Sequence, residues 1–177
     1  MVIKSLIYET PAIKAQKILS TFTTMGKDLF IGTPCGILSP LFSEIDSNAK
    51  MIYAPREDNA IAMACGASLS GKKPVVLMQN SGFAQSLNVL ASLVEPFQIP
   101  FTLIISLRGC GIDNTLENTM MGQLTTKLLS DLGIESKILT AENYVEEINW
   151  SEDYINSSGK MVALLVTPEF FEWRPNE

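Results

Sequence analysis

The chain has 177 residues, of which 46% are hydrophobic and 18% are charged, and its formal net charge is -6. This length suits one domain, and the composition is that of a globular protein. The acidic balance argues against a nucleic-acid-binding groove, because such a groove needs a basic face.

Helices and strands are predicted to alternate along the whole chain. Thr10-Pro11 opens the first helix, since proline is favoured at the first helical position, and Gly26 ends it. Further helices are predicted through Leu38, Leu41, Phe42 and Ile45, and over residues 56–69, 83–94, 122–132 and 142–155. Short apolar strands are predicted over residues 28–31, 51–53, 75–78, 101–107, 136–139 and 161–166.

Short apolar strands separated by helices indicate βαβ units. We therefore predict an α/β fold, a three-layer, doubly wound, parallel sheet of about six strands with helices on both faces, formed by a single domain over residues 1–177. Ligands of such sheets bind beyond the carboxyl ends of the strands. The loops at that end are predicted over residues 32–36, 53–57, 79–82 and 108–118.

Several kinds of chemistry are excluded by residue type. The sequence contains no histidine, which removes Ser-His-Asp and Cys-His nucleophile systems and histidine acid–base catalysis. Cys35, Cys65 and Cys110 form no CxxC pair, so we expect reduced thiols in a cytoplasmic protein and no metal site. Residues 1–5 lack a signal-peptide pattern, and the apolar runs are too short to span a bilayer, so no membrane partner is expected.

Glu57 is the first candidate for a functional role. It follows a strand and begins a helix that is rich in small apolar residues. Such a helix is expected to be buried on most sides, which would partly desolvate the carboxyl group and suit it to share a proton. The alternative is that Glu57 only complements the positive end of the helix, a common role of first-turn acids.

A polar segment, Gln79-Asn80-Ser81-Gly82, follows a strand that is predicted to be buried. It is interpreted as a turn before a helix, so its amides and side chains should face the crevice, and Gly82 permits close backbone approach. The alternative is an ordinary helix cap at Asn80 or Ser81.

Arg108 comes directly after the most apolar strand. Its planar guanidinium suits the oxygens of a carboxylate, phosphonate or sulfonate group. The alternative is an ion pair with Asp113 or Glu117. Residues 32–36 lack both the GxGxxG and the GxxxxGK[ST] patterns, so nucleotide binding has little support.

Taken together, these segments resemble the phosphonopyruvate and sulfopyruvate decarboxylases. The most specific likeness joins residues 56–67 (REDNAIAMACGA) to residues 71–82 (GKKPVVLMQNSG). Residues 32–35 (GTPC) resemble the GVPC-type turn of that family, and residues 106–109 (SLRG) resemble its strand-end WRG. The likeness runs, with interruptions, over residues 30–139.

The resemblance implies the pyrimidine-binding domain of a thiamine-diphosphate enzyme that decarboxylates a small anionic 2-oxo acid and releases an aldehyde. In that family the glutamate matching Glu57 hydrogen-bonds N1′ of the aminopyrimidine and stabilises its imino tautomer. The implied cofactor contacts are Glu57, Pro34, Asn80, Ser81, Gly82 and Phe83. The implied substrate contacts are Gly36, Gln79, Asn80 and Arg108.

The resemblance also implies a partner. The family's diphosphate-binding domain carries a GDG motif, which is absent from this sequence. The chain therefore resembles the alpha subunit of a split enzyme whose beta subunit holds Mg²⁺ and the diphosphate, in a hetero-oligomer such as α2β2 or larger. Two alternatives remain open, namely a carboligase subunit with the same cofactor and a non-catalytic binding or regulatory module with the same fold. The loop over residues 110–118 departs from the family pattern, which leaves the substrate open.

Overall fold

The computed structural model describes residues 9–175, so residues 1–5, which were considered for a signal peptide, lie outside the described part of the chain. Its centre is one sheet of six strands, all parallel, in the order β2-β1-β3-β4-β6-β5. The strands are β1 (Leu29–Gly32), β2 (Lys50–Tyr53), β3 (Val75–Gln79), β4 (Thr102–Ser106), β5 (Ser136–Leu139) and β6 (Val162–Val166). The predicted α/β fold class is confirmed.

The helices connect these strands and cover the sheet. They are α1 (Pro11–Thr24), α2 (Ser39–Asn48), α3 (Glu57–Leu69), α4 (Asn80–Gln85), α5 (Leu87–Val89), α6 (Glu95–Phe97), α7 (Thr119–Asp131) and α8 (Tyr144–Ser158). A π-helical turn spans Leu90–Val94, and 3-10 turns span Leu116–Asn118 and Pro168–Phe171. Within residues 9–175, no helix has the length and apolar character needed to cross a membrane.

Two hydrophobic cores lie on the two faces of the sheet. Val75 and Leu77 of β3 point to the face covered by α1, α2 and α8, whereas Val76 and Met78 point to the face covered by α3, α4 and α7. Successive side chains of a strand alternate between faces, so a strand that is apolar throughout has to be covered on both. This pattern explains why the apolar runs of the sequence predicted a buried parallel sheet.

The segment after β3 differs from its prediction. The polar turn expected over residues 79–82 is wrong, because Gln79 closes β3 and helix α4 begins at Asn80. The helix expected over residues 83–94 continues to Phe97 and contains Pro96. A π-helical turn directly precedes that proline, whose ring and missing N–H interrupt the regular hydrogen-bond ladder.

A charged cluster joins α8 to the amino edge of the sheet. Lys27, which is only 1% exposed, places Nζ 2.8 Å from Oε2 of Glu152, and Lys73 donates to Oε1 at 2.6 Å. Burial lowers the pKa of Lys27, against the raising effect of the Glu152 carboxylate. Burial would raise the pKa of Glu152, but the two ammonium groups hold it below its usual value.

Candidate active site

Glu57 occupies the first position of α3, at the carboxyl end of β2. The side chain is half-buried. Its Oε1 accepts a hydrogen bond from Oγ1 of Thr33 at 3.1 Å, and Thr33 directly follows the neighbouring strand β1. Within the described residues, Oε2 forms no hydrogen bond. The structure therefore presents one fixed and one open carboxylate oxygen at this edge of the sheet.

Gly82 lies against the side chain of Glu57. A Cβ atom at Gly82 would stand 2.1 Å from Cγ and 2.6 Å from Oε1 of Glu57, distances that real atoms do not show. The absence of a side chain at position 82 thus provides the space that the carboxylate occupies. Gly82 and Glu57, both predicted as site residues, are brought together.

Helix α3 is less covered than its composition predicted. Ala60, Ile61 and Ala64 pack into the core, as expected. Asn59, Ala62, Met63 and Gly66 form an exposed stripe on the opposite face. In this chain alone, the expectation of a helix buried on most sides is therefore wrong, and its small residues Ala62 and Gly66 lie on the surface.

The turn after β1 forms a second wall of the site. Pro34 and Gly36 are exposed, whereas Cys35 is buried and places Sγ 2.9 Å from Oγ of Ser106 at the end of β4. An open groove of about 320 Å³ begins at this turn. It is lined by Pro34, Cys35, Gly36, Ser39, Phe42 and Tyr53. Pro34 and Gly36 thus border open space, as their predicted roles require.

Asn80 and Phe83 lie behind the surface of the site. The amide of Asn80 is fully buried, donates to the Arg108 carbonyl at 2.9 Å and to Oγ1 of Thr125 at 3.1 Å, and accepts from the Arg108 N–H at 3.3 Å. Phe83 is fully buried in the core. Both side chains make contacts within the protein, and those of Asn80 with Arg108 link the ends of β3 and β4.

Gln79 and Ser81 remain near the surface. Nε2 of Gln79 donates to Oγ of Ser81 at 2.7 Å, and Ser81 is exposed. The alternative of a helix cap at Asn80 or Ser81 is wrong, because the capping position is Gln79 and its side chain makes no capping bond.

Arg108 is held on two sides. Its Nε donates to Oδ2 of Asp113, and its guanidinium carbon lies 4.6 Å from the centre of the Trp173 ring. The ion pair with Asp113, which was weighed as the alternative to ligand binding, is therefore present. Its Nη1 and Nη2 atoms form no hydrogen bond in the part of the chain that the structure describes, so the outer edge of the guanidinium is open.

Asp113 organises the loop over residues 108–118. Besides Arg108, its buried carboxylate accepts hydrogen bonds from the N–H of Gly109 at 2.9 Å and from the hydroxyl of Thr115. Burial would raise the pKa of this carboxyl, but these donors outweigh it and hold the pKa well below its usual range. The loop predicted to lack periodicity is thus fixed around one buried charge.

Trp173 was not predicted as a site residue from the sequence. The tail folds over the carboxyl end of the sheet, so that the indole stacks on Arg108 while a Cβ atom at Gly36 would stand 3.1 Å from its Nε1. Trp173 therefore bridges Arg108 and Gly36, two of the predicted substrate contacts. No spacing or motif in the sequence signals a contact across this distance.

Comparisons with known proteins are consistent with this geometry. No protein-family model matches the chain. Sulfopyruvate decarboxylase subunit alpha of Methanocaldococcus jannaschii is 36% identical over 149 residues, which cover 82% of this chain and 88% of the relative. The subunit of the same name from Methanothermobacter thermautotrophicus is also 36% identical, over 82% of this chain and 90% of the relative.

Two further similarities involve longer proteins. Phosphonopyruvate decarboxylase of Streptomyces viridochromogenes is 31% identical over 72% of this chain, which matches only 33% of that protein. The thiamine diphosphate-dependent 4-hydroxybenzoylformate decarboxylase of Rhodococcus jostii has a TM-score of 0.71 at 17% identity, over 96% of this chain and 32% of that one. The second likeness concerns the fold alone, and this chain spans about a third of that structure.

Proposed function

The chain belongs to the family of sulfopyruvate decarboxylase alpha subunits, and from that membership we propose that it is the alpha subunit of a two-subunit, thiamine-diphosphate-dependent decarboxylase. Its substrate is a small anionic 2-oxo acid such as sulfopyruvate or phosphonopyruvate, and its products are CO₂ and an aldehyde. The open carboxylate oxygen of Glu57 is the structural observation that carries the proposal.

The residues at the sheet edge fit the aminopyrimidine of thiamine diphosphate. Glu57 offers a half-buried acid with one oxygen free, and Pro34 and Gly36 border open space on the side of β1. When bound, the cofactor supplies the carbon nucleophile and the electron sink that decarboxylation of a 2-oxo acid requires. Ser81 and the backbone at Gly82 lie on the far side of Glu57, where they complete the binding surface.

Glu57 holds and moves a proton at Oε2. A carboxyl group that shares a proton with a ring nitrogen must lie within hydrogen-bond reach of it. Thr33 occupies Oε1, so Oε2 is the atom left for the ring nitrogen. Asn80 and Phe83, which the family resemblance assigns to the cofactor site, support this arrangement from within the fold.

Arg108 binds the second anionic group of the substrate. Asp113 fixes Nε of Arg108, and Trp173 covers one face of its planar guanidinium. The two terminal nitrogens are therefore held in a fixed orientation, with their N–H groups directed outward as a fork. Such a fork matches the oxygens of a sulfonate or phosphonate better than a single ammonium does. Gly36 and Gln79 line the same side of the site.

The beta subunit covers the open side of Glu57 and holds Mg²⁺ with the diphosphate. Within residues 9–175, no three acidic or cysteine side chains come together as metal ligands. Helix α3, which begins at Glu57, exposes Asn59, Ala62, Met63 and Gly66, and its small residues let a partner backbone approach closely. We place the assembly, α2β2 or larger, in the cytoplasm, because the three cysteines are free.

The proposal is tested by co-expressing the chain with a beta subunit that carries the GDG motif. The purified complex is supplied with thiamine diphosphate and Mg²⁺ and offered sulfopyruvate, phosphonopyruvate and pyruvate, and CO₂ release is measured. We expect turnover of a dianionic acid by the complex and none by the chain alone. A complex that binds the cofactor but releases no CO₂ from any of them contradicts the proposal, and a new product that appears only with an added aldehyde indicates the carboligase alternative.

A further inference from the structure

Thr33 makes the hydrogen bond that fixes the carboxylate of Glu57. Its Oγ1 donates to Oε1 at 3.1 Å, although the two residues are 24 positions apart along the chain and follow two adjacent strands. No role was predicted for Thr33 from the sequence. The contact matters because it determines which carboxylate oxygen is available to a ligand.

The backbone of Thr33 is itself held firmly. Thr33 is 9% exposed, and its N–H donates to the Leu77 carbonyl of β3 at 3.1 Å. At the preceding residue, Gly32, a Cβ atom would stand 2.3 Å from that carbonyl oxygen, so β1 and β3 approach each other unusually closely here. The hydroxyl of Thr33 is therefore presented to Glu57 from a rigid strand end.

The opposite side of Glu57 is closed by Gly82. Its backbone is anchored in α4, where its carbonyl accepts from Oγ of Ser86 at 2.8 Å. Because Glu57 is in contact with Gly82 and hydrogen-bonded to Thr33, its carboxylate cannot turn freely. Rotation about the Cγ–Cδ bond of Glu57 would break the bond to Thr33 until a half-turn brought the second, equivalent oxygen into the same place.

We propose that Thr33 is a positioning residue for Glu57, whose hydroxyl holds Oε1 and thereby directs Oε2 towards the cofactor ring nitrogen. This inference rests on the proposed function, since it assigns a role in the same proton transfer. Because the Thr33 hydroxyl is already bonded to Oε1, the carboxylate does not have to reorient when a proton moves at Oε2. This is the general advantage of a preorganised site. Side-chain shape at position 33 is secondary, and the hydroxyl is the functional group.

The test compares Thr33→Val, which removes the hydroxyl and keeps the shape, with Thr33→Ser, which keeps the hydroxyl. Both are studied in the complex with the beta subunit. The main measurement is the exchange of the C2 proton of bound thiamine diphosphate for deuterium, followed by NMR without substrate, alongside cofactor affinity, kcat and KM. Thr102→Val is the matched control. Thr102 is fully buried at the first position of β4, at the opposite edge of the sheet from the site, and its hydroxyl has no hydrogen bond within residues 9–175.

We expect Thr33→Val to slow deuterium exchange and kcat by about tenfold to a hundredfold, the scale of losing a hydrogen bond to a charged group. Cofactor affinity and KM stay close to their normal values, and Thr33→Ser and Thr102→Val exchange as the unaltered complex does. If Thr33→Val does not assemble, Thr33→Ala, which fits the same space, replaces it.

Normal exchange in Thr33→Val, or equally slow exchange in Thr33→Ser, would overturn the role of the hydroxyl while leaving the proposed function intact. An unaltered complex that exchanges the C2 proton no faster than free thiamine diphosphate would overturn the proposed function itself, and this inference with it.

Discussion

At the scale of single residues, the position of Glu57 depends on a side chain that is missing. The α-carbon of Gly82 lies where any larger residue would collide with Cγ of Glu57 at 2.1 Å. Neither residue alone signals this contact, since a first-turn acid and a glycine after a strand are both common. Their juxtaposition comes from the neighbouring positions of β2, β1 and β3 in the sheet.

Gly82→Ala is expected to displace the carboxylate of Glu57. A misplacement of about 1 Å costs on the order of a hundredfold in turnover, so kcat for CO₂ release should fall by about that factor. Gln85→Ala, on the exposed side of the same helix, is the control and should leave kcat unchanged. Normal turnover in Gly82→Ala would show that the position of Glu57 is not critical.

Arg108→Ala is expected to weaken binding of dianionic substrates. Loss of hydrogen bonds to a charged group should raise KM for sulfopyruvate or phosphonopyruvate by about tenfold to a hundredfold, with little change for pyruvate. Arg108→Lys keeps the charge but not the planar fork, so its KM for the dianionic substrates should lie between those of the unaltered protein and Arg108→Ala. Steady-state kinetics on both substrate types are the measurement, and an equal rise of KM for pyruvate would argue against this role.

The sequence could predict which candidate residues stand at strand ends, because strand ends are set by local pattern. Glu57, Pro34, Gly36 and Arg108 stand at strand ends, where a parallel sheet gathers its ligand contacts. Trp173 could not be predicted in the same way, because its contact with Arg108 depends on how the tail folds back across the sheet. The burial of Asn80 and Phe83 likewise follows from the packing of α4 against its neighbours, which no motif records.

At the scale of elements, the loop over residues 108–118 owes its shape to Asp113. This buried carboxylate joins Arg108, Gly109 and Thr115, so it links the end of β4 to the approach of α7. The sequence predicted a loop over these residues. The sequence could not predict that a buried carboxylate, rather than apolar packing, would hold this loop in place.

Asp113→Asn is expected to lower the free energy of unfolding by about 2 to 3 kcal/mol at neutral pH, because it weakens hydrogen bonds to a charged group. The folded state depresses the pKa of Asp113, so its contribution is complete above the unfolded value of about 3.9 and is lost as the pH falls towards the folded value. Urea unfolding of both proteins should therefore show a gap above about pH 5 that narrows below about pH 4.

The control is Asp131→Asn, which removes an exposed i,i+4 pair with Lys127 and should cost no more than about 0.5 kcal/mol. A gap between Asp113→Asn and the unaltered chain that stays constant with pH would contradict the role given to this charge.

Helix α8 is fastened to the sheet by the cluster of Lys27, Lys73 and Glu152. Glu152→Gln leaves Lys27 buried without a counter-charge, which should cost about 3 kcal/mol of unfolding free energy. The double change Lys27→Met with Glu152→Leu should recover most of that loss, because apolar residues of similar volume often replace a buried pair at little cost. Urea unfolding gives both values, and a double variant that is less stable than Glu152→Gln would contradict this account.

The bounds of α4 to α6 show where sequence patterns fail for an element. Pro96 predicted a helix end, yet the chain continues in helical form through a π-helical turn. Burial of Leu90 and Val94 against the sheet stabilises this geometry. Tertiary packing therefore outweighed the local preference of proline, and only the existence of a helix here was predictable.

At the scale of the whole molecule, the fold was predictable because its strands are short, apolar and separated by helices. A parallel sheet with two cores follows from that pattern, and its carboxyl edge then has to carry the site. The proposal that a partner subunit supplies the diphosphate-binding part of the site came only from the absence of a GDG motif in the sequence. The exposed small residues Ala62 and Gly66 of α3 support that inference, since nothing within residues 9–175 covers them.

The central claim is that the carboxyl group of Glu57 shares a proton with the cofactor at a site completed by the beta subunit. Its most direct test is the rate of CO₂ release by the assembled complex, loaded with thiamine diphosphate and Mg²⁺, with Glu57→Gln in place of the natural chain. We expect kcat to fall by about 10²- to 10⁴-fold while the complex still assembles. Near-normal turnover of the Glu57→Gln complex would contradict the claim.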